Sequence, residues 1–118
     1  MENLTLRGMA EAIEQSCAIT DADALAAEIG QKLAHVDPAL IAPGNFLSTD
    51  AMLLMVDHGL PGWTIMLSGV ASEKDGHWTC TLRNSAGRDN DPFVGIGKCA
   101  SLPLAILAAF LKALAFID

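Results

Sequence analysis

The segment Gly95–Ala100 has the pattern that most suggests a ligand site, Gly-x-Gly-x-x-Ala. Between a strand and a helix, this pattern can bind the pyrophosphate of a dinucleotide if a second parallel strand follows the helix. In this sequence a helix follows the pattern, and no strand follows the helix. We therefore expect a strand end at which Gly95 and Gly97 allow a bend or a close backbone approach.

The residues that most often bind zinc are too widely spaced to form a recognisable site. They are His35, His58, His77, Cys17, Cys80 and Cys99. Zinc ligands usually occur in closely spaced pairs, and residues three apart in a strand, such as His77 and Cys80, point to opposite faces. We expect no metal and no cofactor. We also expect reduced thiols, with Cys80 in the core beside Trp78 and Leu82.

Residues that could support hydrolysis are present without the surroundings that catalysis needs. The sequence has no Gly-x-Ser-x-Gly motif. Its close carboxylate pairs lie in expected caps and turns, where they bind local backbone and stay solvated; they are Asp21 and Asp23, Glu73 and Asp75, and Asp89 and Asp91. Because a tuned catalytic pKa requires burial, no catalytic residue is predicted.

A set of polar side chains on a predicted hairpin is the least explained by folding alone. Alternation in two strands places it on one sheet face: Thr64, Ser68, His77, Thr79, Thr81 and Arg83. An antiparallel sheet can leave one face to water. The other interpretation is a surface that binds a partner.

Composition limits both the size of the fold and the class of partner. The chain has 118 residues, of which 52% are hydrophobic, and its formal charge is -7. We expect an arm or short helix over residues 1–20 and a single α+β domain over residues 21–118. Residues 1–60 hold nine acidic and two basic residues, whereas residues 61–118 hold five of each. This acidic excess argues against nucleic acid and anionic membranes as direct partners, and it suggests an acidic surface around Asp21, Asp23 and Glu28.

The beginning and the end of the sequence bear on location and assembly. The first residues lack the basic start and apolar stretch of a signal peptide. Leu102–Ile117 is too short to span a bilayer and predicts a buried helix. We therefore expect a cytoplasmic protein. That helix could pack against the sheet, the N-terminal helices or a second copy of the chain. Because Lys112 is its lone charge and large exposed apolar patches are unusual in monomers, a homodimer is also predicted.

Local patterns predict the order helix, helix, strand, strand, strand, helix. Thr20-Asp21-Ala22-Asp23 is similar to a capping box and opens a helix that runs to about Val36. Ser48 caps a second helix, from Thr49 to about His58. Trp63–Val70, His77–Asn84 and Phe93–Lys98 have strand patterns, and a helix follows Ser101. Short connections favour an antiparallel sheet of three strands with helices packed on it, an α+β fold.

Three motifs resemble the phage ABA sandwich domain, found in small phage and prophage proteins. They are Phe46-Leu47-Ser48-Thr49-Asp50 at a helix start, Trp78 within the hairpin sequence His77-Trp78-Thr79-Cys80, and Ala100-Ser101-Leu102-Pro103-Leu104-Ala105-Ile106 in the last helix. The resemblance covers roughly residues 21–114. It implies a phage-type protein that acts in the cytoplasm of a bacterial host, and no catalytic residue carries over.

Three function classes follow from these observations. The first hypothesis is a non-enzymatic accessory protein that binds a protein partner. The second is an acidic inhibitor of host defence, such as an anti-CRISPR protein, which would occupy a basic channel through complementary charge at Asp21, Asp23 and Glu28. The third is an enzyme of a kind that the motifs do not reveal.

Overall fold

A computed structural model describes residues 4–16, 19, 21–32, 41–60, 62–69, 78–83 and 94–116. The helices are α1 (Leu4–Ser16), α2 (Ala22–Lys32), α3 (Thr49–Gly59) and α4 (Leu102–Phe116), and a short 3-10 helix spans Pro43–Leu47. The strands are β1 (Thr64–Gly69), β2 (Trp78–Arg83) and β3 (Val94–Cys99). They form one antiparallel sheet in the order β1-β2-β3, which confirms the predicted α+β fold.

Side-chain caps define the starts of two helices. The N–H of Ala51 donates to Ser48 Oγ at 3.2 Å, as expected for the cap of α3. At α2 the N–H of Ala24 donates to Asp21 Oδ1 at 3.0 Å. Asp21, the second residue of the predicted capping box, therefore accepts the capping bond. Helix α2 is described as far as Lys32, and the rest of the predicted helix lies outside the described residues.

Helix α1 lies within the N-terminal segment of the chain. It is a helix of 13 residues whose buried side chains Leu6, Ala10 and Ile13 fall on one face. These side chains belong to the same core as those of α2, α3 and α4. The segment thus contributes a helix to the common core.

Helix α4 lies at the centre of this core. Of the residues from Leu104 to Ala115, only Lys112 is not fully buried. The helix packs against β3 and β2 on one side and against α1 and α3 on others. The predicted burial of this helix is therefore confirmed, and the sheet, α1 and α3 are the elements that cover it. A homodimer stays a prediction that needs a different surface.

Two glycines of β3 let α4 approach the sheet closely. A Cβ atom at Gly97 would overlap the carbonyl oxygen of Ala105 and lie 2.5 Å from the amide nitrogen of Ala109. A Cβ atom at Gly95 would overlap the carbonyl oxygen of Ala109. The expected close backbone approach is confirmed. Since these glycines face α4, they are not open to the phosphates of a dinucleotide.

Candidate functional site

The two faces of the sheet have different surroundings. Cys80 and Leu82 of β2 are fully buried on the face that packs against α4, and they pair with Gly97 and Gly95. Residues on the alternate positions point the opposite way, and no described helix packs on them. We call this second surface the open face; its described members are Thr64, Met66, Ser68, Thr79, Thr81, Arg83, Ile96 and Lys98.

The strand register arranges the open face in rows that cross the sheet. Met66 pairs with Thr81, and Thr81 pairs with Ile96, so that a threonine separates two apolar side chains. Ser68, Thr79 and Lys98 form the next row. Thr64 and Arg83 pair on the other side of the central row. The structure therefore places five of the six predicted residues on one face, while His77 lies outside the described residues.

The open face is less polar than the sequence suggested. Met66 is 55% exposed and Ile96 is 43% exposed, and both lie in the central row. The prediction named only the polar residues of the hairpin and so missed these two side chains and Lys98. Strand alternation already placed Met66 with Thr64 and Ser68, and that was the available signal. The position of Ile96 and Lys98 on the open face could be recognised only from the register of β3 with β2.

The charge of the strands differs from that of the helical surface. As bounded here, the three strands contain Arg83 and Lys98 and no acidic residue. Asp21 and Asp23 are exposed at the start of α2, and Glu28 is half-buried on the same helix. Asp50 and Asp57 are exposed on α3. The predicted acidic residues thus lie on or next to α2, and the open face carries positive charge.

The outer edge of β3 is closed by two charged side chains. The N–H of Lys98 donates to Glu14 Oε2 at 2.9 Å, and the Lys112 ammonium donates to the carbonyl oxygen of Ile96 at 2.9 Å. Glu14 and Lys112 also form an ion pair, and the side chain of each is 19% exposed. Residues from α1 and α4 therefore occupy two of the backbone groups that another strand would need.

The described residues contain pockets but no cluster of metal ligands. They contain no group of three His, Cys, Asp or Glu side chains that could hold a metal ion. An open depression of about 360 Å³ on α3, within the roughly 300–1,000 Å³ of typical ligand pockets, is lined by Asp50, Leu53, Leu54 and Asp57. A cavity of about 200 Å³ lies between α1 and α2, below the roughly 300–1,000 Å³ of typical ligand pockets. Its lining residues are Met9, Ala12, Ile13, Ile19, Asp21, Ala24 and Leu25. Asp21, the acid in this lining, caps α2.

The thiol of Cys80 is a core group, as the sequence predicted. Cys80 and Cys99 are buried and unbonded to other cysteines, while Cys17 lies outside the described residues. Burial raises the pKa of the Cys80 thiol from 9.0 to about 12. A thiolate is the reactive form of cysteine, so this thiol is poorly suited to nucleophilic chemistry.

Raising the pH should therefore destabilise the protein through Cys80. The folded state holds the thiol proton more tightly than the unfolded state, so this stabilisation is complete below about pH 9 and is lost between about pH 9 and 12. By about pH 10.5 the loss should reach about 2 kcal/mol. Urea unfolding of the wild type and of Cys80→Ala at several pH values measures it. The wild type should lose stability more steeply; parallel pH profiles would contradict a perturbed thiol.

Taken together, these features define a small α+β fold in which one sheet face packs on a buried helix and no described helix covers the other. Comparison of the chain with family models, curated proteins and solved structures found no significant match. The described residues include no helix long and apolar enough to cross a membrane.

Proposed function

We propose that this chain is a small, non-enzymatic accessory protein of the phage or prophage type that binds a protein partner through its open face. The observation that carries the proposal is the central row of that face. Met66 and Ile96 are large apolar side chains exposed on either side of Thr81. Isolated exposed apolar residues are ordinary on protein surfaces. Here two of them share one row and have hydroxyl-bearing neighbours in the adjacent rows.

The composition of the open face favours a protein as the ligand. An interface needs apolar side chains at its centre and polar groups around them that can form hydrogen bonds. Met66 and Ile96 supply the first, and Thr64, Ser68 and Thr79 supply the second. A sheet face presents a broad surface, whereas metabolites bind in concave pockets.

The charge of the open face restricts the partner further. Arg83 and Lys98 are the charged residues of the described open face; Lys98 is exposed and Arg83 is half-buried. Charge complementarity across an interface speeds association and excludes wrong partners. The partner surface that fits is therefore an apolar patch bordered by carboxylates. Nucleic acid fits less well, because the chain as a whole has a charge of -7.

The phage-type assignment and the location rest on the sequence. Three motifs resemble the phage ABA sandwich domain, and the first of them includes Ser48, the residue that caps α3. The buried free thiols of Cys80 and Cys99 fit a reducing compartment. The proposed site of action is accordingly the cytoplasm, that of the bacterial host if the chain is encoded by a phage.

The test is differential capture of a partner from host cells. The tagged wild type and a Thr79→Glu/Arg83→Glu double variant are used for affinity purification with mass spectrometry. The double variant should lose a partner that the wild type retains, because two carboxylates replace a hydroxyl and a cation. Gln31→Glu adds a carboxylate to an exposed position on α2 and should leave capture unchanged. Equal capture by all three proteins would contradict binding at the open face.

A second candidate function, an acidic inhibitor of host defence, has its own surface. Asp21, just before α2, and Asp23, in its first turn, are exposed, and Glu28 lies further along α2. Asp21 also caps α2, so its reversal would damage the helix as well as the charge. Asp23→Lys/Glu28→Lys therefore tests this alternative in the same capture experiment. Loss of the partner in this variant alone would favour the inhibitor and contradict the open face.

A further inference from the structure

We propose that the outer edge of β1 pairs with β1 of a second copy of this chain, joining two sheets of three strands into one sheet of six. The sheet has two edges, β1 and β3. Glu14 and Lys112 occupy backbone groups on the outer edge of β3. Within the described part of the chain, no group outside β2 bonds to the backbone of Thr64–Gly69. Among the described residues, the outer edge of β1 is therefore the sheet edge whose backbone groups no other element bonds.

The composition of β1 lacks the features that normally prevent edge pairing. Every second residue of an edge strand directs its N–H and C=O groups away from the sheet, and another extended strand can pair with the whole row. Proteins usually protect these edges with charged residues, proline or a bulge. The sequence of β1 is Thr-Ile-Met-Leu-Ser-Gly, with no charge and no proline, and no bulge interrupts its register with β2.

The exposure of β1 is unusual for a strand in this protein. Leu67 lies on the face that packs against α4, yet it is 40% exposed because α4 packs mainly on β3 and β2. Met66, on the open face, is 55% exposed. The strand therefore exposes an apolar side chain on each face beside its outer edge. A neighbouring strand would cover part of both.

A second copy of β1 is the occupant that these features fit. Two identical strands pair antiparallel around a two-fold axis, so that each residue of one strand meets a residue of the same strand in the partner. Any charge on β1 would then lie close to its own copy, and like charges across a strand pair are destabilising. The uncharged β1 avoids that repulsion. Registers centred on Met66 or Leu67 bring the apolar side chains of both copies together across the junction.

The dimer would change the surface available to other partners. A two-fold axis perpendicular to the sheet keeps the open faces of both copies on the same side. Those faces then form one continuous surface of twice the area. This inference does not depend on the proposed function, because it concerns pairing between purified copies of the chain.

The test measures the mass of the purified chain as a function of concentration. Size-exclusion chromatography with light scattering, from low micromolar to several hundred micromolar, should show a rise from the mass of one chain to that of two. Leu67→Lys places a charge beside the junction in both copies and should raise the dimer dissociation constant about tenfold or more. Ile96→Lys is the matched control, because Ile96 is 43% exposed on the far strand. It should dimerise like the wild type.

Hydrogen exchange on the wild type provides a test that requires no substitution. Amides of Thr64–Gly69 should become more protected at dimer-forming concentrations, while the protection of β3 should not change. A monomer at every concentration would overturn the inference. So would a dimer that is weakened by Ile96→Lys and not by Leu67→Lys, or one whose β1 amides exchange at the monomer rate. None of these results would bear on capture of a partner by the open face.

Discussion

Gly97→Ala is expected to lower the free energy of unfolding by about 3–4 kcal/mol, and Gly97→Val to abolish the folded state. The added Cβ would overlap the carbonyl oxygen of Ala105 and lie 2.5 Å from the Ala109 nitrogen. Both atoms belong to the backbone of α4, so no side-chain rotation can relieve the overlap. Helix and sheet must separate, which opens gaps in the core around α4. Urea unfolding monitored by circular dichroism measures the loss.

Gly30→Ala is the matched control for this prediction. It makes the same chemical change in α2, where a Cβ atom would meet nothing within 4 Å. Alanine favours the helical backbone over glycine by roughly 0.5–1 kcal/mol, so this variant should be slightly more stable than the wild type. Opposite signs for the two substitutions would establish that the close approach of α4 to β3 causes the loss. A Gly97→Ala protein of wild-type stability would contradict the packing described here.

Glu14→Ala should produce the second large effect, a loss of about 2 kcal/mol in the free energy of unfolding. The substitution removes the acceptor for the N–H of Lys98 and the ion-pair partner of Lys112. Because the two side chains are only 19% exposed, water replaces the lost interactions poorly. Glu14→Gln, which retains an oxygen acceptor without the charge, should lose about half as much, since charge-assisted hydrogen bonds are roughly twice as strong as neutral ones.

The ion pair between Arg7 and Glu11 supplies the control on the same helix. Its side chains are 38% and 53% exposed, and its partners are four residues apart. Glu11→Ala should change stability by no more than about 0.5 kcal/mol, as is usual for an exposed pair on a helix. A double-mutant cycle of Glu14→Gln with Lys112→Met isolates the energy of this partly buried pair. Equal effects for Glu11→Ala and Glu14→Ala would contradict a structural role for the β3 edge cap.

Sequence and structure agree best where an interaction is local. Ser48 could be identified as a helix cap because its hydroxyl binds an N–H only three residues away. The alternation in β1 and β2 predicted an antiparallel pair and the common face of Thr64, Thr79 and Arg83. The glycines of β3 indicated a close approach. The pattern did not show which element approaches them; it is α4, the helix that follows β3 in the chain.

The sequence was least informative where partners are far apart along the chain. Glu14 binds the N–H of Lys98, 84 residues away, and nothing near Glu14 in sequence distinguishes it from the exposed Glu11. Lys112 was interpreted only as the lone charge on a buried apolar helix, and its binding to Glu14 and to the backbone of β3 was not foreseen. Both cases have the same cause, because the partners of these charged side chains lie on other elements and are defined only once the helices have packed.

By itself, the sequence determined the α+β class, the order of the elements, the capped start of α3 and the acidic character of the first half of the chain. These properties depend on residue type and on contacts within a few positions. Tertiary structure alone decided which sheet face stays open and which edge is closed. Both follow from the packing of α4 on Gly95 and Gly97, which buries one face and leaves Met66 and Ile96 exposed on the other. It also brings Lys112 to the β3 edge, whereas no described group outside β2 bonds to the backbone of β1.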